Sequence, residues 1–209
     1  MAAVTLDQCV SFVERYAARL AEEKAYLTDL DSAIGDADHG INMDRGFQAV
    51  LAKLPTLQAG PPGALFKTVG MTLISTVGGA GGPLYGTFFL RLGTSLGDAA
   101  EVTPEALAAG LRAGLGGVVA LGKANLDDKT MVDALTPAVE ALEAGVAAGD
   151  LADGLTKAAA AAAAGRDRVT PLVARKGRAS YLGERSAGHQ DPGATSSTYL
   201  IEALRDACA

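Results

Sequence analysis

The chain has 209 residues, which suits one domain and at most two. Hydrophobic residues make up 49% of it and aromatic ones only 5%, with no Trp, so the core must be filled largely by Ala, Gly and aliphatic side chains, a composition that leans towards closely packed helices. A formal charge of -6, a pI of about 4.9 and the absence of a Lys/Arg cluster argue against a nucleic-acid partner.

MAAVTLDQ has no basic n-region before an apolar stretch, so no signal peptide is expected. Thr5-Leu6-Asp7-Gln8 has the form of a capping box, and Leu6, Cys9, Val10, Val13, Ala17, Leu20 and Leu27 follow at helical spacing, predicting one helix through this region. A second helix is predicted from about Gly40 to Leu54, stopped by Pro55. Pro62 stands where a first helical residue belongs, and Pro83 opens a fourth helix through Leu92. Thr103-Pro104-Glu105 reads as an N-cap, an N1 proline and an acidic first turn. Further helices are predicted at about 130–148, with Pro137 in its first turns or at a kink, and at 150–173 and 192–207. The apolar stretches 106–122, interrupted by Arg112, and 158–165 do not read as membrane spans. Cys9 and Cys208 read as free thiols on helix faces. No strand alternation stands out, and the expectation is all-α: about eight antiparallel helices in an up-and-down bundle or closed helical barrel, as a single domain over 1–209. The exception is 175–191, polar and rich in Gly and Arg, a loop long enough to be functional. The expected location is the cytoplasm, with no membrane partner.

Three segments carry the chemistry. In DSAIGDADHGIN, Asp31, Asp36 and Asp38 fall within eight residues, and Gly35 and Gly40 allow the backbone to turn so that they converge. Crowded carboxylates repel unless a cation sits between them, and an all-oxygen set suits magnesium over zinc. An EF-hand is excluded because Gly40 and Phe47 fall where oxygen ligands are required. The plainer alternative is an acidic turn capping the next helix. The second segment, GGAGGPLYGT over 78–87, clusters glycines before a helix and so exposes backbone N–H groups at its positive end, as an anion site would. It is neither a Walker A loop nor a dinucleotide fingerprint, and a tight packing turn is the alternative. In the third, 176–196, Asp191-Pro192 is an N-cap and N1 proline, and the arginines are candidates for bidentate phosphate contacts. The only histidines, His39 and His189, both lie in these glycine- and aspartate-rich loops.

Taken together, DSAIGDADHGINMDRGF, GGAGGPLYGTFF, KTMVDALTPA and GRASYLGERSAGHQDPGATS resemble the L subunit of bacterial dihydroxyacetone kinase of the phosphotransferase-system-dependent type, across residues 5–205. The resemblance implies an eight-helix antiparallel barrel with ADP or ATP at one rim, held by two magnesium ions. It implies Asp31, Asp36 and Asp38 as metal ligands. His39, Gly40, Ile41, Asn42, Ala80, Gly81, Gly122, Met131, Arg178, Asp191, Pro192 and Gly193 would line the nucleotide. Dihydroxyacetone would be carried by a separate K subunit, and a phosphocarrier M subunit would rephosphorylate retained ADP; the resemblance also leaves room for a homodimer. No side chain stands out as a catalytic base, and positioning by Arg178 and the metal ions would do the work. One departure is Gly81, where the family's glycine loop commonly has serine. The competing readings are a tetrulose (erythrulose-type) kinase subunit, the nucleotide domain of a fatty-acid kinase, and a non-catalytic nucleotide-sensing regulator.

Overall fold

Helix starts in this chain are set by short local signals. Thr5 Oγ1 accepts the Gln8 N–H at 3.2 Å while Gln8 Oε1 accepts the Thr5 N–H at 3.0 Å, a reciprocal capping box that opens α1 (Leu6–Glu22). The computed structural model describes residues 3–57 and 59–209. α2 (Lys24–Ile34), α3 (His39–Leu51), α4 (Pro62–Thr76) and α5 (Gly81–Leu96) follow, with a short 3-10 turn, Leu54–Thr56, after α3. Thr103 caps α6 (Pro104–Gly122), and Thr130 with Asp133 forms a second capping box for α7 (Met131–Ala147). Asp150 caps α8 (Leu151–Val169) and Asp191 caps α9 (Pro192–Cys208).

The described residues thus hold nine α-helices, one more than the count of about eight expected from the sequence, because the first predicted helix is two. At Glu23 the backbone turns to φ -93° and ψ 9°, which ends α1 and lets α2 swing onto α3 and α9. No Gly or Pro marks the break; tertiary contact decides it. α5 also starts two residues earlier than Pro83, at Gly81.

Each helix packs against the next in chain order, and α9 returns to pack on both α8 and α1, so the helices close a ring. From α2 onwards the short connections make successive helices antiparallel, while α1 and α2, joined at Glu23 alone, follow one another and both pack on α3 and α9. The sole β-type contact among the described residues is an isolated bridge between Val4 and Val102. One apolar core runs through the ring and is centred on aromatic rings: Tyr16 meets Phe47 edge-on at 4.7 Å, and Phe89 touches Phe12, Phe47, Phe66 and Phe88. Elsewhere glycine sets the helix separation. A Cβ on Gly70 would lie 2.6 Å from the Gly86 carbonyl oxygen across α4 and α5, and one on Gly145 would lie 2.2 Å from Gly154 Cα across α7 and α8. α6 is the one helix among the described residues long and apolar enough to cross a membrane. Here it is a wall of the ring between α5 and α7, and Arg112 pairs with Glu143 of α7 through both ends of its guanidinium, at 2.8 and 2.5 Å. Cys9 is buried and Cys208 partly buried, both as free thiols.

The glycine contacts predict opposite outcomes for one substitution. Gly145→Ala forces backbones apart and is expected to lower stability by about 2–3 kcal/mol. Gly116→Ala lies in the exposed interior of α6 with no atom within 4 Å of the new Cβ, and is expected to raise stability by about 0.5–1 kcal/mol. Denaturant melts of the two variants beside the parent chain check both signs.

Candidate functional site

The ends of several helices meet around one cavity of about 290 Å³. Its wall comprises the α2–α3 turn with Asp31, Asp36, Asp38, His39 and Asn42; the glycine turn 78–81; the end of α6 at Gly122; Lys129 to Val132 at the start of α7; Lys176 to Ala179; and Asp191 to Gly193 at the start of α9. All three segments singled out in the sequence are brought together here, although they lie far apart in the chain.

The acidic turn is folded around Asp31. This buried carboxylate, in the last turn of α2, accepts the backbone N–H groups of Asp38 at 2.8 Å and His39 at 3.1 Å, both through Oδ2. Its Oδ1 makes no hydrogen bond among the described residues, and one carboxylate oxygen from each of Asp31, Asp36 and Asp38 lies within 4.8 Å of the others. The chain leaves α2 at Gly35, with φ -141° and ψ -136°, and reverses at Ala37, with φ +60°, while Gly40 is already helical. A left-handed alanine costs about 1–2 kcal/mol and persists only where surrounding contacts hold it. Gly35 serves a further purpose, since a Cβ there would lie 2.0 Å from Asp31 Oδ1. The donor set is oxygen only, anionic and preorganised by backbone N–H groups, and it fits a hard divalent cation. Arg178 reaches across from the long loop to Asp36 Oδ2 at 2.9 Å.

The glycine turn leaves α4 at Val77 and enters α5 at Gly81, with Gly79 at φ +63°. Gly81 itself is helical; a Cβ there would meet only Val77 and Met43 side-chain atoms at 3.6 and 3.7 Å, so the family's usual serine has both the room and the backbone angles. The cavity floor is apolar, with Val77, Leu84, Val118, Ala124, Met131 and Val132. His39 Nε2 lies 2.9 Å from Ser196 Oγ, which is 2.7 Å from Tyr85 OH, itself 2.9 Å from Ser197 Oγ. This chain of hydroxyl groups ties the cavity wall to α9, and burial lowers the His39 pKa, favouring the neutral ring.

The 175–191 segment is held by a residue that sequence reasoning passed over. Lys129 is 1% exposed and gives its ammonium to three carbonyls of the loop and its approach, Thr170 at 2.9 Å, Leu172 at 3.0 Å and Ser186 at 2.6 Å. Burial lowers its pKa. Flanked by Asp127, Asp128 and a helix cap, Lys129 reads in the sequence as surface charge; its position inside the KTMVDALTPA motif was the only signal. Between Arg178 and Ser186 the loop coils into 3-10 turns broken at Gly183.

Of the predicted nucleotide-lining residues, His39, Asn42, Ala80, Gly81, Gly122, Met131, Arg178, Asp191, Pro192 and Gly193 lie on the cavity wall, as do all three predicted metal ligands. Gly40 and Ile41 do not. Gly40 is a packing position, where a Cβ would sit 2.1 Å from the Lys24 carbonyl oxygen of α2, and Ile41 is 45% exposed. His189 is likewise off the cavity wall, although its neighbour Gln190 accepts a hydrogen bond from Tyr26 OH at 2.8 Å.

A family model described as the DAK2 domain matches residues 33–206. The chain belongs to the DAK2 domain family of dihydroxyacetone kinase subunits. It is 45% identical over 198 residues to the ADP-binding subunit of the PEP-dependent dihydroxyacetone kinase of Escherichia coli, covering 94% of each chain. It is 41% identical over 206 residues to the ADP-binding subunit of the PTS-dependent dihydroxyacetone kinase of Lactococcus lactis, covering 99% of this chain and 100% of that one. The dihydroxyacetone kinase of C. freundii, solved in complex with AMP-PNP and Mg2+, shares the fold at a TM-score of 0.75 and 27% identity; the match covers 99% of this DAK2 chain and 35% of that longer one.

Asp191 couples the cavity to stability. Burial pushes its pKa up from 3.8 to about 7, against the opposing pull of its N-cap hydrogen bond from Ala194, with nearby Asp133 adding to the rise. The folded state therefore binds a proton that the unfolded chain has released, so this group's contribution to stability falls as pH rises from about 3.8 through about 7. Asp191→Asn keeps a capping oxygen and removes the titration. In ligand-free protein without divalent cations, the variant is expected to lose less stability than the parent between pH 5 and pH 8, read from denaturant melts at both values.

Proposed function

We propose that the chain acts as one nucleotide-binding domain over 1–209, a kinase subunit that holds ADP or ATP through two Mg2+ ions and hands a phosphoryl group to dihydroxyacetone on a separate K-type subunit. The observation that carries this reading is the convergence of an oxygen-only acidic triad, a glycine turn entering a helix and Arg178 on one cavity of a DAK2 domain. Asp31, Asp36 and Asp38 would hold the metal. When bound, the ions would neutralise charge on the phosphate oxygens.

The chain's own residues do the remaining work by position. The glycine turn and the N-terminus of α5 line the cavity, and their backbone N–H groups would receive a diphosphate there. The apolar floor and Met131 take the base, and Asp191 to Gly193 with Gly122 close the sides. Arg178, beside Asp36, supplies positive charge at the mouth for the phosphoryl group in transit. No lining side chain is arranged as a nucleophile with its own base: the His39 Nε2 is committed to Ser196. Phosphoryl transfer asks mostly for alignment and charge neutralisation, so activation of the sugar falls to the partner. A cytoplasmic setting, and an M-type phosphocarrier that recharges retained ADP, complete the proposal.

The test is reconstituted transfer. The purified chain with ATP, Mg2+ and dihydroxyacetone is expected to form no product alone and to form dihydroxyacetone phosphate once a K-type subunit is added. Asp36→Asn should reduce that rate and the affinity for ADP with Mg2+ together, by at least about tenfold, with little change in melting temperature. Turnover by the isolated chain would overturn the division of labour, and an Asp36→Asn variant with parental affinity would remove the metal assignment.

A further inference from the structure

Asn42 is a buried polar side chain on the cavity wall, 7% exposed, and only one of its two ends has a protein partner among the described residues. Its carbonyl oxygen Oδ1 accepts Arg45 NH2 at 2.7 Å. Its amide nitrogen Nδ2 donates to no protein group among the described residues and keeps some accessible surface, and the residue lies on the cavity wall. The whole amide group lies against the glycine turn, with Nδ2 3.2 Å and Oδ1 3.4 Å from where a Gly78 Cβ would be.

The guanidinium of Arg45 settles which end is which. It carries only donors, so the atom facing it must be the carbonyl oxygen, and the NH2 is then left for the other side. Arg45 also donates through Nε to the Thr76 carbonyl at 3.2 Å, one of the free carbonyls at the C-terminus of α4, where a cation is favoured. One exposed side chain on α3 therefore grips both the amide that faces the cavity and the helix end from which the glycine turn departs. The other groups around the cavity do not duplicate this: Arg178 is engaged with Asp36 and Lys129 with three carbonyls.

We propose that Arg45 is a positioning residue for nucleotide binding: by holding the Asn42 carbonyl and the end of α4, it presents the Asn42 NH2 beside the glycine turn as a fixed donor for a phosphate oxygen. The inference rests on the nucleotide reading of the cavity. Without Arg45 no guanidinium fixes which end of the amide is the acceptor on its side, and an acceptor turned towards a phosphate repels it. The ligand class read by this device is an anionic diphosphate; adenosine alone has nothing for the NH2 to hold.

A double-mutant cycle tests it, using calorimetry with ADP and Mg2+ and, separately, with adenosine. Arg45→Met is expected to weaken ADP about tenfold and leave adenosine unchanged. Asn42→Ala should do the same, and the double variant should be no weaker than Asn42→Ala alone, because Arg45 acts through the amide. Arg45→Lys, which keeps one donor for the amide, should recover part of the loss. Melting temperatures without ligand check that the variants fold; should Arg45→Met fail to fold, Arg45→Lys against Asn42→Ala carries the same comparison. Equal weakening of ADP and adenosine, or additive losses in the double variant, would overturn the positioning role and leave Arg45 as a helix latch. Arg45→Met with parental ADP affinity would overturn it while leaving the nucleotide reading intact. A parent chain that binds no ADP at all would overturn both.

Discussion

The crowding of Asp31, Asp36 and Asp38 is the constraint on which the rest of this structure turns. Three carboxylates close enough to share a cation repel one another in its absence. The chain nevertheless fixes them in place, with a left-handed alanine at residue 37, two backbone N–H groups committed to Asp31, and a glycine at 35 where any Cβ would strike that carboxylate. The crowded charges and the left-handed alanine work against the fold, and the two N–H groups that Asp31 accepts at the start of α3 offset part of that cost. Together they make an anionic cradle whose natural complement is a hard divalent cation, and around it the positive elements are arranged: Arg178 against Asp36, the α5 N-terminus, and the glycine turn.

The ring of helices exists, in this light, to bring distant loops to one end. α3, α5, α7 and α9 all begin beside the cavity, so their N-terminal N–H groups and caps are gathered there. Close helix separation at Gly70 and Gly145, with aromatic rings filling the centre, holds those ends in register without relying on the loops. The long 175–191 segment is the exception, and the chain fastens it with an interior ammonium, Lys129, whose three donors go to Ser186 in the loop and to Thr170 and Leu172 on its approach. A buried cation satisfied by dipoles alone is costly to desolvate. Here its cost is offset by three charge-assisted hydrogen bonds and by Asp191 nearby, and it adds positive potential to a site that receives an anion.

Much of this was legible in the sequence, for identifiable reasons. Caps and N1 prolines act through neighbouring atoms, so Thr5, Pro62, Thr103 and Asp191 announced their helices. The acidic turn and the glycine turn each had a plain structural explanation, a helix cap and a packing turn, and stood out because four motifs in the right order resemble one family. What was not legible depends on contacts between distant segments. The break at Glu23 falls among good helix formers and is imposed by where α2 must pack. Gly40 and Ile41 sit in the right motif, but the helical rotation of α3 carries them off the cavity while His39 and Asn42 stay on it. Lys129 looks like any surface lysine until the loop folds over it, and Arg45 becomes informative only when its two acceptors, far apart in the chain, are seen side by side.

The central claim is that the acidic triad and the glycine turn form a single site in which metal and nucleotide bind as one unit. Calorimetric titration of ADP into the purified, nucleotide-stripped chain, with saturating Mg2+ and again with the metal chelated, tests it directly. If the claim holds, ADP binds tightly with Mg2+ and at least about a hundredfold more weakly without it, since an unneutralised diphosphate would face the three carboxylates. Equal affinity in the two conditions, or no binding in either, would contradict it.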